Sequence, residues 1–169
     1  MNTAFVAVLM GSDSDLPVMQ ATLDILKHLD IPFEVRITSA HRTPKATHDY
    51  VTDADARGCV AFIAAAGLAA HLAGAVSAIT IKPVIGVPLD AGPLQGMDAL
   101  LATVQMPGGI PVACVAVGKA GAKNAAWLAA QIIAVSNPAM AERLKRERAA
   151  NAQSVLDKNA ELQATLSRN

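Results

Sequence analysis

The sequence predicts an α/β protein in which one parallel β-sheet carries helices on both faces. Five short apolar runs alternate along the chain with segments whose apolar residues recur at helical spacing. Several of these runs are apolar throughout, which is typical of strands buried on both faces. Parallel neighbours need crossover connections, and right-handed crossovers place helices on each side of the sheet.

The strands are predicted from their composition. Residues 4–10 form an uninterrupted apolar run, whereas Phe33, Val35 and Ile37 alternate with polar residues, as in a half-exposed edge strand. Three further short runs continue the series, and turn residues separate them from the helical segments. The predicted strands are residues 4–10, 33–37, 60–64, 83–87 and 111–117.

The helices are predicted from apolar spacing and from end signals. Apolar residues from Leu16 onward lie at helical spacing, and Asp15 is a candidate N-cap for that helix. Pro44 suits the first turn of the next helix, and Gly58 suits its C-terminal stop. The predicted helices are residues 16–29, 44–57, 69–80, 97–104 and 122–135. The alternation predicts a three-layer α/β/α sandwich around a flavodoxin-like, five-stranded parallel sheet.

A charged segment follows these elements. Asn137 and Pro138 break the preceding helix, and 10 of the 32 residues from 138 to 169 are charged. Apolar residues recur there near an 11-residue repeat, which keeps one stripe on a nearly straight helix. We expect residues 1–137 to form the flavodoxin-like domain and residues 138–169 to form a helical arm, not a separate domain. The stripe suits docking on a neighbouring subunit, and a frayed, solvent-exposed helix is the alternative.

Composition limits the class of function. The 14 Lys and Arg balance the 14 Asp and Glu, so no net charge attracts the chain to nucleic acid or anionic lipid. Residues are 53% hydrophobic and 17% charged, which indicates either a membrane protein or a surface covered by other protein. Residues 58–81 are uncharged over 24 positions, but they are mostly Ala and Gly, with His71 near the middle and no aromatic belt. We therefore predict no membrane span.

Signals for targeting and for metal binding are absent from the sequence. The N-terminus enters the first strand without a basic region, so no signal peptide is predicted. Cys59 and Cys114 lie in apolar runs and fit reduced core thiols. No Cys, His and Asp cluster has metal-ligand spacing, so no metal is predicted. We expect a cytoplasmic protein.

Four loops follow the first four predicted strands, at residues 11–15, 39–44, 65–74 and 88–96. In an open parallel sheet, ligands bind beyond the carboxyl ends of the strands, near the switch in strand order. Most of the polar and glycine residues of the body that could bind a ligand fall in these loops. This concentration predicts the functional site.

The first of these loops suits an anion. It reads Gly-Ser-Asp-Ser-Asp and opens a helix, where free backbone N–H groups and the positive dipole end favour a phosphate. It lacks the spaced glycines of a dinucleotide fingerprint and the Gly-Lys-Ser/Thr of a P-loop, so NAD and ATP chemistry are not predicted. An ordinary helix cap is the alternative.

Two histidines in the other loops are candidates for chemistry. In Ser-Ala-His-Arg-Thr-Pro at 39–44, Arg42 can grip a phosphate and His41 can exchange a proton near neutral pH. A surface turn that caps the next helix is the alternative. His71 lies in a Gly/Ala loop, where a packed or capping histidine fits as well as a catalytic one.

Together these motifs resemble the 5-(carboxyamino)imidazole ribonucleotide mutase family. This is the class I type of catalytic subunit in the phosphoribosylaminoimidazole carboxylase system of purine biosynthesis. The resemblance spans about residues 4–137. It is carried by the loops at 11–15 and 39–44, Ala-Ala-His-Leu at 69–72, Val-Gln-Met-Pro-Gly-Gly-Ile-Pro at 104–111, and residues 118–124.

The resemblance implies a cofactor-free isomerase of de novo purine (IMP) biosynthesis that assembles as a homo-octamer, with residues 1–137 as its catalytic domain. The family moves CO2 from the exocyclic nitrogen of the ribonucleotide to ring carbon 4, giving 4-carboxy-5-aminoimidazole ribonucleotide. An ATP-dependent synthetase makes its labile substrate.

The motifs of the family also imply residue roles. His41 would be the general acid and base. Arg42 and the serines, including Ser39, would hold the 5′-phosphate, and Asp15 would bind ribose hydroxyls. The residues implied to bind substrate are Ser12, Asp15, Ser39, Arg42, Ala66, Gly67 and His71, with Ser14 and Leu72 as further candidates. Of these, Ala66, Gly67 and His71 would line the imidazole and carboxylate pocket.

The chain departs from the usual family pattern at three places. Leu68 stands where the family usually has a glycine, which matters if that position needs a positive φ. Ala73 stands where the family usually has a proline, and the loop at 90–93 also differs.

The sequence leaves two alternatives to the mutase interpretation. The related carboxylase adds free CO2 to aminoimidazole ribonucleotide, and its sequences resemble Ser-Ala-His-Lys-Thr at the second loop, so Arg42 favours the mutase. A non-catalytic, flavodoxin-like ligand-binding module is the alternative from another class. The four loops carry no aromatic residues for a flavin, and residues 64–66 are alanines where a phospho-receiver needs an Asp.

Overall fold

The computed structural model describes residues 4–167, and its elements follow the predicted alternation. The strands are Phe5–Met10 (β1), Phe33–Ile37 (β2), Cys59–Gly67 (β3), Val84–Leu89 (β4) and Ala113–Cys114 (β5). The helices are Leu16–His28 (α1), Pro44–Ala56 (α2), Leu72–Ser77 (α3), Met97–Val104 (α4), Gly118–Ala134 (α5) and Pro138–Leu166 (α6), and a single 3-10 turn, Asp13–Asp15, precedes α1.

All five strands are parallel and lie in the order β2-β1-β3-β4-β5, so the predicted flavodoxin-like class is confirmed. Leaving β1, the chain first adds β2 on one side and then returns to add β3 on the other. The strand order therefore switches between β1 and β3, which is where an open parallel sheet offers a crevice to a ligand. Every residue of β1 and of β4 is buried, whereas the edge strand β2 is partly exposed, as its alternating pattern predicts.

Helices cover both faces of the sheet. On one face, Phe5, Leu9 and Phe62 of the sheet pack in a core with Val51 of α2 and Val76 of α3. On the other face, the Thr22 hydroxyl of α1 donates to the Ala122 carbonyl of α5 at 2.7 Å. The buried positions of α5 are Gly118, Gly121, Ala122, Ala125, Ala126, Ala129 and Ala130.

These small residues let α5 pack closely against the segment that immediately precedes it. A Cβ on Gly121 would lie 1.6 Å from the carbonyl oxygen of Ala116, so this position accepts only glycine. Part of the apolar composition therefore serves close packing within the body.

The boundary between β3 and α3 differs from the prediction. β3 extends to Gly67 instead of ending at residue 64, because Gly67 still pairs with Leu89 of β4. α3 begins at Leu72 instead of residue 69, because the N–H groups of Ala70 and His71 donate to carbonyls only two residues back, those of Leu68 and Ala69, each at 2.8 Å, and not in a helical pattern. Residues 65–67 are thus strand and not loop.

The boundary between β5 and α5 also differs. β5 covers two residues instead of seven, and Pro111, two residues before it, has no N–H to offer the ladder. α5 begins at Gly118, four residues before the predicted start, and Gly118 has a positive φ of +71°.

The described residues form two compact units, one up to Ala130 and one from Gln131. The second unit contains α6, one continuous helix of 29 residues, whose first turn is capped by the Asn137 side chain accepting from the Met140 N–H at 3.1 Å. Within the described part of α6, Leu144 is buried, while Val155 and Leu162 are more than half exposed.

Residues 58–81, the candidate membrane segment, contain β3 and the short helix α3. No helix between residues 4 and 167 is long and apolar enough to cross a membrane. The prediction that a signal peptide is absent falls partly on residues 1–3, which lie outside the described residues.

Candidate active site

A cavity of about 460 Å³ opens at the carboxyl edge of the sheet, between the loops that follow β1, β2, β3 and β4. This is the edge at which the sequence places the site. All ten residues that the sequence singles out line the cavity: Ser12, Ser14, Asp15, Ser39, His41, Arg42, Ala66, Gly67, His71 and Leu72. Parallel pairing of β1 with β2 and β3 brings the loops together, because the carboxyl ends of paired parallel strands share one edge.

The loop after β1 is closed by hydrogen bonds between its own residues. The Ser12 N–H donates to Asp15 Oδ2 at 3.0 Å, and the Ser14 N–H donates to Ser12 Oγ at 3.3 Å. Asp15 stands at the N-cap position of α1, as predicted, but its carboxylate accepts from Ser12 and does not cap α1. The loop is therefore a rigid turn that presents both serines to the cavity.

Asp15 is held in an environment that disfavours its charge. Partial burial removes water from the carboxylate and raises the pKa of Asp15 above its ordinary value, although backbone N–H donors from Ser12 and Gly11 act in the opposite direction. A ligand hydroxyl that donated to Asp15 would replace part of the lost hydration. This carboxylate therefore suits a sugar hydroxyl.

Arg42 connects the loop after β2 to the loop after β1. Its Nη2 donates to the Gly11 carbonyl at 2.9 Å, and its backbone N–H donates to Ser39 Oγ at 3.2 Å. A guanidinium has five N–H donors in a flat fork, so this contact fixes the group while leaving donors for an anion. Arg42 and Ser39 line the same cavity as the serines of the first loop, and the Arg42 contact to Gly11 joins the two loops.

His41 and His71 form a direct pair across the cavity. His41 Nε2 lies 2.8 Å from His71 Nδ1, and the two rings meet edge to face at 82° with centroids 4.9 Å apart. His71 occupies the N-cap position of α3 but makes no side-chain capping bond there, and it is exposed. Neither the packed nor the capping interpretation of His71 therefore holds. The pair has one nitrogen that donates and one that accepts, as proton exchange requires.

The part of the lining at the ends of β3 and β4 is apolar and closely packed. Ala66, Gly67 and Leu68 from the end of β3 face Ala91 from the loop after β4. A Cβ on Gly67 would lie 2.7 Å from the Cβ of Ala91, so the two loops touch there and need a glycine. The cavity is thus polar where the loops after β1 and β2 line it. Apart from His71, it is apolar where the segments at and after the ends of β3 and β4 line it, and we call this part the apolar half.

Sequence reasoning did not assign several of the lining residues to substrate binding, and all of these are small or apolar. They are Gly11, Ala40, Leu68, Ala69 and Ala91. Ala91 could have been found, because it follows β4 at the same edge as the other loops. Ala40 and Ala69 carry no chemical signal of their own. Between residues 4 and 167, no group of three or more His, Cys, Asp or Glu side chains could hold a metal ion.

The order of the sheet and the cavity at its carboxyl edge, with the histidine pair inside it, define a flavodoxin-like α/β protein. A sequence model of the AIR carboxylase family matches residues 5–154. The chain belongs to that family, and the resemblance predicted from the motifs is confirmed.

The relatives of the chain carry a more particular name. It is 51% identical over 158 residues to the N5-carboxyaminoimidazole ribonucleotide mutase of a Synechocystis species, covering 94% of this chain and 89% of the relative. It is 49% identical over 155 residues to the protein of that name from Pseudomonas aeruginosa, covering 92% and 95%. The crystal structure of Treponema denticola PurE superimposes with a TM-score of 0.86 at 29% identity, covering 94% of this chain and 98% of that one.

Proposed function

We propose that this protein is an N5-carboxyaminoimidazole ribonucleotide mutase of de novo purine biosynthesis, the function that the sequence predicts. The observation that carries the proposal is the His41–His71 pair, held at 2.8 Å inside a cavity with one polar and one apolar half. Relatives of that name at about half identity over nearly the whole chain support it.

The polar half suits the ribose phosphate of the substrate. Arg42 supplies charge-assisted donors to the 5′-phosphate, and Ser12, Ser14 and Ser39 supply hydroxyls beside it. Asp15 accepts hydrogen bonds from ribose hydroxyls. The imidazole ring then reaches the apolar half, against the backbone of Ala66 and Gly67.

The histidines suit the proton transfers that the reaction needs. The N–C bond of the carbamate breaks and releases CO2, while the departing nitrogen takes up one proton. Ring carbon 4, which is enamine-like, attacks the retained CO2 and forms the new C–C bond. That carbon then loses its proton, so one proton is gained and one lost. His41 serves as both acid and base, and His71 orients it.

The apolar half contributes by excluding water. CO2 offers little for a cation to hold, and a wall of Ala and Gly methyl and backbone groups keeps it near the ring carbon. The substrate's own nucleophilic carbon performs the attack, so this mechanism uses no cofactor.

The competing assignment within the family is a carboxylase that takes CO2 from solution. The test is to supply freshly prepared carboxyamino substrate without bicarbonate and, separately, aminoimidazole ribonucleotide with bicarbonate. We expect rapid formation of the 4-carboxy product from the first and little from the second at equal concentrations. Product from the second mixture alone would contradict the mutase assignment.

We also propose that the protein works as a homo-octamer in the cytoplasm, with residues 1–137 as the catalytic domain. The exposed apolar side chains Leu94, Met97, Leu101 and Val104 in and before α4 support an interface between subunits, since each is at least 47% exposed. The mass in solution tests this, and a monomer would contradict it. The carboxyamino ribonucleotide is an unstable substrate, which favours close coupling between this protein and the ATP-dependent synthetase that makes the substrate.

A further inference from the structure

Leu68 holds a backbone conformation that leucine rarely adopts. Its φ is +55°, in the left-handed region where the Cβ of an L-residue is crowded. Its side chain is 51% exposed, so burial in the core does not account for a leucine at this position. Strained residues that persist in this way concentrate at functional sites, where the strain serves an arrangement of groups.

The strained backbone directs the Leu68 side chain onto the neighbouring loop. A Cβ on Gly92 would lie 2.5 Å from Leu68 Cδ2, so the leucine methyl rests directly over the Gly92 backbone. Gly92 itself has a positive φ of +77°. Next to this contact, Gly67 and Ala91 make the close approach described above. Leu68 and Gly92 therefore lock the loop after β3 to the loop after β4.

Leu68 also differs from the other residues of the apolar half. Among the described residues that line the cavity, Leu68 and Leu72 are the large aliphatic ones, and Leu72 is only 2% exposed. The remainder of that wall is Ala and Gly. Leu68 is thus the residue that can cover the apolar half with a hydrocarbon surface.

We propose that Leu68 is a positioning residue that retains the released CO2 by covering the apolar half of the cavity and locking its two loops. This rests on the proposed function, because only a reaction that passes through free CO2 needs such a cover. When the N–C bond breaks, CO2 either forms the bond to ring carbon 4 or escapes. Escape leaves aminoimidazole ribonucleotide in place of the carboxylated product.

The experiment measures how much of the substrate's own CO2 reaches the product. The carboxyamino substrate carries a ¹³C-labelled carboxyl group, and the solution contains excess unlabelled bicarbonate with carbonic anhydrase. Mass spectrometry gives the labelled fraction of the product, and released aminoimidazole ribonucleotide is quantified in parallel.

Two variants distinguish the effect of the positive-φ backbone at residue 68 from the effect of its apolar side chain. Leu68→Asn keeps a residue that tolerates positive φ but replaces the apolar side chain with a small polar one. Leu68→Met keeps an apolar side chain of similar volume, although the methionine side chain is unbranched. Leu156→Asn is the matched control, because Leu156 is 60% exposed on α6 and does not line the cavity.

We expect wild type, Leu156→Asn and Leu68→Met to retain the label, and Leu68→Asn to release at least about three times more aminoimidazole ribonucleotide. Retention by Leu68→Asn equal to that of wild type overturns the proposal, as does equal leakage from Leu68→Met. A wild type that forms product without retaining label also overturns it. A wild type that forms no product contradicts the mutase function itself, which separates the two failures.

Discussion

His41 Nε2 and His71 Nδ1 lie 2.8 Å apart, although 30 residues separate them in the chain. One histidine belongs to the loop after β2 and the other to the first turn of α3. For the bond to exist, one of the two nitrogens carries a proton and the other offers a lone pair. His71 therefore holds the His41 ring in one orientation, and the hydrogen bond couples the positions of the protons on the two rings.

Replacing His71 with Ala should slow turnover more than it weakens substrate binding. We expect kcat to fall by about tenfold or more, because His41 loses the partner that orients it, while KM changes little. His48→Ala is the control, because His48 is exposed on α2 and lies outside the cavity. Equal kinetics for wild type and His71→Ala would show that the pair has no catalytic role.

Arg42→Lys tests the guanidinium fork. Lysine keeps the charge but not the flat pair of donors, and it loses the 2.9 Å contact to the Gly11 carbonyl. We expect KM for the ribonucleotide to rise by roughly tenfold to a hundredfold, the value of one charge-assisted hydrogen bond. Arg36→Lys on β2 should leave KM unchanged. An unchanged KM in Arg42→Lys would remove Arg42 from the phosphate site.

Asp15→Asn should weaken binding of the ribonucleotide without lowering the stability of the fold. Because burial raises the pKa of Asp15, ionised Asp15 destabilises the fold above that pKa, and the penalty disappears as pH falls through it. The variant should therefore resist urea at pH 7 at least as well as wild type, and the difference should shrink in acid. Its affinity for the ribonucleotide should drop.

The control for this change is Asp13→Asn in the same exposed turn. We expect Asp13→Asn to bind the ribonucleotide as wild type does. Asp15→Asn with wild-type affinity would exclude Asp15 from the ribose site.

Gly121→Ala should unfold the body of the protein far more easily. The added Cβ would lie 1.6 Å from the Ala116 carbonyl oxygen, a backbone atom that cannot move aside cheaply. We expect a loss of about 3 kcal/mol or more in the free energy of unfolding, measured from urea titrations. Gly108→Ala is the matched control, since its Cβ would meet no described atom within 4 Å. Similar stabilities for the two variants would contradict the packing of α5 described above.

Much of the fold follows from local sequence pattern. Apolar runs and helical spacing predict the five strands and their connections, and parallel pairing then places the four loops at one edge. Pattern fails at element boundaries that depend on distant residues. β3 reaches Gly67 because Leu89 pairs with it, and no residue near Gly67 carries that information.

The candidate site, like the fold, follows only in part from local sequence pattern. Residue chemistry predicts roles for His41 and Arg42, and the family resemblance implies one for Asp15, but neither gives their partners. The bond from Arg42 to the Gly11 carbonyl and the pairing of the two histidines depend on the register of strands far apart in the chain. The departure at Leu68 is visible in the sequence, whereas its positive φ and its contact with Gly92 are visible only in the structure.

The most direct test of the proposed mechanism is to measure the turnover of His41→Asn on freshly prepared carboxyamino substrate, together with the affinity of this variant for the ribonucleotide. We expect turnover to fall by about a hundredfold or more, because the general acid and base is lost, with affinity close to that of wild type. Near-normal turnover at normal affinity would contradict the role of His41 and with it the mechanism built on the histidine pair.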